Sequence, residues 1–179
     1  MKKILSIFSI CCLLLLTTAC SLGTTPTSEV ERLLAKYNNQ DEEIVVELDD
    51  YVNNNDLTEE QNNKYKSVYL RQFKDMKYEI KEETIDGDNA TVTAQITVYD
   101  YYKIDKAAND YLLQNPDEFK TEDTYDDSLF TDYKLSKLED ANDTVDYTIE
   151  FQLTKVDNTW QLNDLTQEQL EKIHGVYQY

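Results

Sequence analysis

Apolar residues repeat every three to four positions in the first third of the chain beyond residue 27, a spacing that predicts helices. Ser28 and Glu31 form a sequence of the capping-box type and predict the start of a first helix. A second helical pattern occupies residues 44–52. Thr58 and Gln61 predict a second capping box, and therefore a third helix.

The apolar period then falls to two, which predicts β-strands. Residues 78–84 alternate weakly, and residues 86–89 have the composition of a hairpin turn. Residues 90–98 alternate strictly, with apolar side chains at even positions and polar ones at odd positions. This alternation predicts an antiparallel sheet that is covered on one face.

A mixed, mainly helical stretch over residues 105–140 separates this hairpin from a second one. Alternation returns over residues 145–153, a turn follows at 156–159, and Trp160 is expected to anchor the core from the last strand. Thr166 and Gln169 can cap a closing helix, which is predicted to stop at Gly175. The order predicts an α+β domain, with N-terminal helices packed on an antiparallel sheet and a helical insert between the two hairpins.

The N-terminus has the layout of a secretory signal peptide. Lys2 and Lys3 precede an apolar run over residues 4–16, and small residues at 17–19 lead to Cys20. The apolar run is shorter than the roughly 20 residues that a membrane-spanning helix needs. Secretion without a lipid and a retained helix are the two alternatives.

A cysteine directly after the small residues resembles the bacterial lipobox, which implies a diacylglyceryl group, with acyl chains such as palmitate, on Cys20. The expected organisation is a signal peptide at 1–19, a lipidated cysteine and tether at 20–27, and one domain at 28–179. Two acyl chains anchor a protein stably, so the expected location is the outer face of the bacterial cytoplasmic membrane. Cys11 and Cys12 leave with the signal peptide, so thiol catalysis and cysteine-ligated zinc are excluded.

The chain is strongly acidic, with 17 basic and 36 acidic residues and a net charge of −19. Removal of Lys2 and Lys3 leaves 15 basic and 36 acidic residues, or −21. Nucleic-acid binding requires clustered basic side chains and is not expected. The negative charge also repels anionic lipid head groups, so the domain is expected to lie away from the membrane surface, at the end of its tether.

Three stretches, at residues 25–31, 76–94 and 147–162, together resemble small lipoproteins of Gram-positive bacteria with a cystatin-like fold. That fold is the cone shared by nuclear transport factor 2 and ketosteroid isomerase. The resemblance implies a curved sheet that wraps a helix, with a pocket at the open end of the cone. It implies no activity, because the fold hosts both enzymes and binding modules.

Enzymes of this fold often pair an aspartate base with a tyrosine donor inside the cone. Asp100 could imitate that pair with Tyr99, Tyr101 or Tyr102. The preferred interpretation is that the strand ends there and that Asp100 caps or turns the chain toward water, because a buried carboxylate is costly. His174, the only histidine, is expected on the surface near a helix C-terminus.

Other polar clusters predict structure rather than chemistry. The acidic residues at 140–146 lack the glycine of an EF-hand loop and are interpreted as a solvated loop, as are the acidic residues at 123–127. The latter include a candidate helix cap at Asp126 or Asp127. The tyrosines at 65, 69, 78 and 147 are expected at the edge of the core, and a platform for a ligand is the alternative.

The sequence therefore predicts a lipid-anchored extracytoplasmic protein that is not an enzyme and uses no cofactor or metal. Its expected partners are the membrane, through the anchor, and a protein, a peptide or a small apolar ligand. Two alternatives are a cone-pocket enzyme of the isomerase type, using Asp100 and a nearby tyrosine, and a purely structural accessory protein of the envelope.

Overall fold

The computed structural model describes residues 24–53 and 57–179. The predicted signal peptide, Cys20 and the first part of the tether lie outside these residues. The described chain contains six α-helices, six strands and one 3₁₀ turn at Pro116–Phe119. The helices and strands are α1 (Pro26–Asn39), α2 (Glu42–Asn53), α3 (Glu59–Asp75), β1 (Lys77–Asp86), β2 (Asn89–Tyr99), α4 (Tyr101–Gln114), β3 (Lys120–Thr121), β4 (Thr124–Tyr125), α5 (Asp127–Glu139), β5 (Thr144–Val156), β6 (Thr159–Leu162) and α6 (Gln167–His174).

The main sheet is antiparallel, with the strand order β1-β2-β5-β6. Its central pair, β2 and β5, is in register without interruption from Asn89 opposite Thr154 to Tyr99 opposite Thr144. The helical insert lies between the two hairpins and carries the short β3–β4 hairpin, which the sequence pattern did not reveal. The α+β class is confirmed, while the curved, cystatin-like cone stays a prediction.

The two faces of the sheet differ as the alternation predicts. Apolar side chains of β2 and β5, such as Val92 and Phe151, are completely buried against the helices. The opposite face is exposed to solvent. Hydrogen bonds between polar side chains join β2 and β5 there, including Thr91 to Gln152 at 2.9 Å and Thr97 to Asp146 at 2.6 Å. Burial of one face fixes the register of both strands, because a one-residue slip would expose the whole apolar set.

A β-bulge in β1 overturns the predicted alternation in that strand. Ile80 lies opposite Ala94, but Glu82 lies opposite Thr93, so one extra residue is inserted between them. Beyond the bulge the odd positions share the face of the buried β2 residues. Glu83 consequently reaches the start of α1, where its Oε2 accepts hydrogen bonds from the main-chain N–H and the hydroxyl of Thr27, at 2.9 and 2.7 Å.

Helix α1 begins earlier than the sequence pattern predicts. Its N-cap is Thr25, whose hydroxyl accepts a hydrogen bond from the Ser28 N–H at 3.1 Å, and Ser28 completes the capping box in place of Glu31. Pro26 occupies the first turn, where its missing N–H costs nothing. Residues 26 and 27, predicted as tether, therefore belong to the helix.

Helix α6 covers an edge of the sheet that would otherwise be open. Strand β6 pairs only with the end of β5, and it buries Trp160 as predicted, at 7% exposure. Beyond it, side chains of α6 bind the free carbonyl groups of β5: Gln169 donates to Glu150 at 2.7 Å and Lys172 to Thr148 at 3.1 Å. Covering an edge strand in this way prevents pairing with other chains.

Candidate ligand-binding cavity

A cavity of about 530 Å³ lies between the N-terminal helices and the C-terminal part of the chain. Helices α1, α2, α3, α4 and α6 and the residues after α6 all contribute to its lining. The volume falls within the roughly 300–1,000 Å³ that is typical of small-molecule sites. Six aromatic residues other than histidine line it: Tyr37, Tyr51, Tyr65, Tyr69, Phe73 and Tyr102.

The aromatic residues form a continuous wall. Tyr65, Tyr69 and Phe73 are spaced four apart in α3 and therefore share one helix face. The rings of Tyr65 and Tyr69 stack at 4.7 Å between centroids, and Tyr37 of α1 meets Phe73 edge-on at 5.0 Å. His174 joins the wall at 5.5 Å from both Tyr69 and Phe73. The cavity therefore offers flat apolar surfaces from several elements.

The hydroxyls of Tyr37, Tyr65 and Tyr69 are neutral at physiological pH. Burial raises the pKa of Tyr65 and Tyr69 far above the ordinary tyrosine value. Burial also raises the pKa of Tyr37, and the nearby carboxylates of Glu47 and Glu43 add to that effect. Each neutral hydroxyl can both donate and accept a hydrogen bond.

The sequence predicts that His174 lies on the surface or at a helix C-terminus. It is the last residue of α6, but its imidazole lies in the cavity wall. Burial lowers the pKa of its imidazole to about 4, so the ring is neutral at physiological pH. The imidazole makes ring contacts but no hydrogen bond to the described residues. One sequence signal was available: Leu170 and His174 are four apart, so a helix places them on one face, and both line the cavity.

Packing against α3 sets the position of His174. The buried amide of Gln72 donates a hydrogen bond to the His174 carbonyl at 3.0 Å. Gly175 then ends α6 in the left-handed conformation, with φ at 74°. These contacts join residues that are far apart in sequence, and for this reason the alternation and helix patterns did not place His174.

Three carboxylates also line the cavity, one each from α2, α4 and α6. Asp105 is paired, at 3.3 Å from the Lys134 ammonium. Glu171 accepts a hydrogen bond from the neutral amide of Gln167 at 3.0 Å. Glu47 makes no hydrogen bond or ion pair with another described residue. Because no Lys or Arg is among the described residues that line the cavity, its wall is negative at physiological pH.

Asp100 lies outside this wall. It ends β2 and caps α4, accepting a hydrogen bond from the Lys103 N–H at 3.0 Å, so the predicted cap is confirmed. The expected turn toward water is wrong, because Asp100 is only 5% exposed. The hydroxyl of Tyr179 compensates its burial by donating to Oδ2 at 2.7 Å.

The tyrosines beside Asp100 point to different places. Tyr99 donates its hydroxyl to Asp75 at 2.8 Å, and the buried Tyr101 donates to the Val68 carbonyl at 3.0 Å. Only Tyr102 of the three lines the cavity. The rings of Tyr99 and Tyr101 stack at 6.1 Å between centroids, but among the described residues none of the three hydroxyls bonds to Asp100, whose side chain instead accepts from Tyr179.

Tyr65 and Tyr69 lie at the core edge as expected: Tyr69 belongs to the core and Tyr65 packs against it, and both also form part of the cavity wall. Tyr147 is buried as expected and donates to the Tyr177 carbonyl at 3.1 Å. Tyr78 is half-buried on β1. The sequence placed these residues at the boundary of the core, but it did not show that helix packing leaves a space beside two of them.

Acidic side chains of these two stretches form ion pairs and hydrogen bonds with other residues of the same chain. Asp143 pairs with Lys103 at 2.6 Å, and Asp146 accepts from Thr97 on the wet face of the sheet. Asp126 caps α5, as one of the two predicted candidates. Within the described part of the chain, no group of three or more His, Cys, Asp or Glu side chains could hold a metal ion.

None of the helices described over residues 24–53 and 57–179 has the length and apolar character that a bilayer crossing requires.

No family model matches the chain, and no curated protein matches it significantly. Among solved structures, the chain is similar to the crystal structure of a "putative lipoprotein", YcdA, from Bacillus subtilis. The two chains are 16% identical, the match covers 86% of this chain and 50% of the other, and the TM-score is 0.41. The chain thus spans about half the length of that protein, and a likeness this distant carries no argument about shared fold or function.

Proposed function

We propose that this protein is a lipid-anchored extracytoplasmic binding module, and that its cavity takes a small molecule with an apolar part. The observation that carries the proposal is the continuous aromatic wall around a space of about 530 Å³. Apolar and aromatic walls with a few polar groups are the usual construction of small-molecule sites. The neutral tyrosine hydroxyls and the His174 imidazole supply such polar groups.

The anchor determines where binding occurs. The basic start, the short apolar run and Cys20 support lipidation after removal of residues 1–19. Two acyl chains would hold the domain on the outer face of the cytoplasmic membrane. The net charge of −21 would keep it off anionic head groups. The protein would then display its cavity to solutes that pass close to the membrane.

Two features support binding without catalysis. Asp100 caps α4 away from the cavity wall. His174 is neutral and makes no hydrogen bond to a described carboxylate. General acid–base chemistry uses a group whose pKa lies near the working pH and whose partner orients it.

The proposal can be tested by NMR on the full chain in a non-ionic detergent, with ¹³C-labelled tyrosine rings. Addition of the neutral probe 4-tert-butylbenzyl alcohol should shift the ring signals of Tyr65 and Tyr69 in a saturable manner. Signals of the half-buried Tyr78 on β1 and the buried Tyr147 on β5, neither of which lines the cavity, should not move. Equal small shifts of all tyrosines would contradict the proposal, because they would report detergent partitioning only.

A cavity-filling variant gives the matched control. Leu170 is half-buried in the cavity wall, so Leu170→Phe should weaken probe binding. Leu113 is 79% exposed on α4 and does not line the cavity, so Leu113→Phe should leave binding unchanged. Unaltered affinity in the Leu170 variant would place the probe elsewhere.

A further inference from the structure

We propose that the ligand of this cavity is an organic cation, namely an ammonium group that carries apolar or aromatic substituents. This inference rests on the proposed function and adds the charge of the ligand to it. Two independent properties of the wall point in the same direction: the aromatic faces and the unneutralised carboxylates.

The faces of the aromatic rings can attract a cation that has left its hydration shell. An ammonium group within about 6 Å of a ring centroid is attracted by the negative face of the ring. Tyr65 and Tyr69 stack in parallel, so each ring covers one face of the other, and both residues still line the cavity. Tyr51 adjoins Tyr65 at 5.8 Å between centroids and extends this surface toward the solvent. Uncharged tyrosine rings of this kind are the components of cages for quaternary ammonium groups.

The carboxylates supply a counter-charge from two helices. Glu47 lies on α2 and Glu171 on α6, and both line the cavity. Neither forms an ion pair with a described residue, whereas Asp105 is already paired with Lys134. A cation in the cavity is attracted by both carboxylates, and an anion is repelled by both.

The surroundings favour the same sign of charge. The described lining has no Lys or Arg, and His174 is neutral at physiological pH. The net charge of the chain, −21 after loss of residues 1–19, raises the local concentration of cations and speeds their approach. A neutral ligand would gain nothing from these charges, and this difference is measurable.

The test compares two molecules of equal shape. 4-(Trimethylammonio)benzyl alcohol and 4-tert-butylbenzyl alcohol differ only in the replacement of N⁺ by carbon. Titration of the full chain, followed through the Tyr65 and Tyr69 ring signals, should show about tenfold tighter binding of the cation at low salt. The preference should decrease as the salt concentration rises, because the carboxylates lie near the solvent.

Replacing the carboxylates with amides tests whether Glu47 and Glu171 cause the preference for the cation. Glu47→Gln combined with Glu171→Gln should reduce the preference for the cation several-fold and leave binding of the neutral probe unchanged. Glu82→Gln combined with Glu150→Gln makes the same change in net charge on the exposed sheet surface, away from the cavity, and should preserve the preference.

The outcomes separate this inference from the proposed function. Equal binding of the two molecules would overturn the inference and leave the binding module intact. A preference that survived in the Glu47/Glu171 variant but not in the Glu82/Glu150 variant would also overturn it. Binding of neither molecule at the labelled tyrosines would overturn both proposals.

Discussion

The side chain of Gln72 pairs with the main chain of Tyr99 in both directions, as a neighbouring strand would. Its Oε1 accepts a hydrogen bond from the Tyr99 N–H at 2.8 Å, and its Nε2 donates to the Tyr99 carbonyl at 3.1 Å. The same Nε2 donates to the His174 carbonyl at 3.0 Å. One completely buried amide on α3 therefore connects the end of β2 with the end of α6, and thereby holds one wall of the cavity.

Replacement of this amide should be strongly destabilising. Gln72→Leu would leave the Tyr99 N–H, the Tyr99 carbonyl and the His174 carbonyl without their side-chain partner, at an expected cost of about 2–4 kcal/mol in the free energy of unfolding. Denaturation of the full chain in non-ionic detergent, followed by the fluorescence of the single Trp160, measures it. Gln161→Leu, at an exposed position on β6, should change stability by less than about 0.5 kcal/mol. Similar values for the two variants would contradict a structural role of Gln72.

Two glycines with similar backbone angles should respond very differently to alanine. Gly87 (φ 61°) has open space where a Cβ would lie, so Gly87→Ala should cost only the conformational penalty of about 1–2 kcal/mol. At Gly175 (φ 74°) a Cβ would lie 2.2 Å from both Gln72 Nε2 and the Tyr99 carbonyl oxygen. Gly175→Ala should therefore add an overpacking cost of about 1–3 kcal/mol. The midpoints of denaturant unfolding measure both variants. An equal loss of stability in Gly87→Ala and Gly175→Ala would contradict this expectation.

The neutral His174 makes stability depend on pH in a predictable direction. Burial lowers its folded-state pKa to about 4, while an unfolded histidine titrates near 6.5. Its contribution is therefore complete above about pH 6.5 and is lost as the pH falls through that value toward 4. Between pH 7 and pH 5 the wild type should lose about 2 kcal/mol of unfolding free energy relative to His174→Phe.

Subtracting the unfolding free energy of His174→Phe from that of the wild type removes the pH dependence that comes from the carboxylates, because both proteins contain them. Because the sequence has one histidine, its ring protons can also be followed directly by NMR. A titration midpoint near 4 is expected. A midpoint near 6.5, with parallel stability curves for wild type and variant, would show that His174 is solvated.

Lipidation of Cys20 predicts a defined mass for the membrane-bound protein. The intact mass should correspond to loss of residues 1–19 and gain of acyl chains. Cys20→Ser should remove the acyl mass and release the protein from the membrane fraction, because no acyl acceptor remains at that position. Cys12→Ser, within the predicted signal peptide, should process normally. A Cys20→Ser protein that stayed equally anchored would refute the assignment.

Local chemistry alone determined most of the secondary structure. The capping boxes at Thr58 and Thr166 and the stop at Gly175 are where the sequence placed them, because caps depend on contacts three or four residues away. The strict alternation in β2 also predicted its buried face correctly, since successive side chains of a strand point to opposite sides. The same reasoning failed beyond Ile80, where a bulge changes which face each residue occupies.

The sequence by itself therefore determined the α+β class, the order of the main helices and strands apart from the β3–β4 hairpin, and the buried sheet face. It also predicts the anchor at Cys20. Tertiary structure decided the site. Tyr65 and His174 are separated by more than a hundred residues, and they meet at the cavity because Gln72 fixes the end of α6 against α3. No periodic pattern encodes such a contact: periodicity shows which face of an element is apolar, whereas a cavity depends on how closely the faces of several elements approach one another.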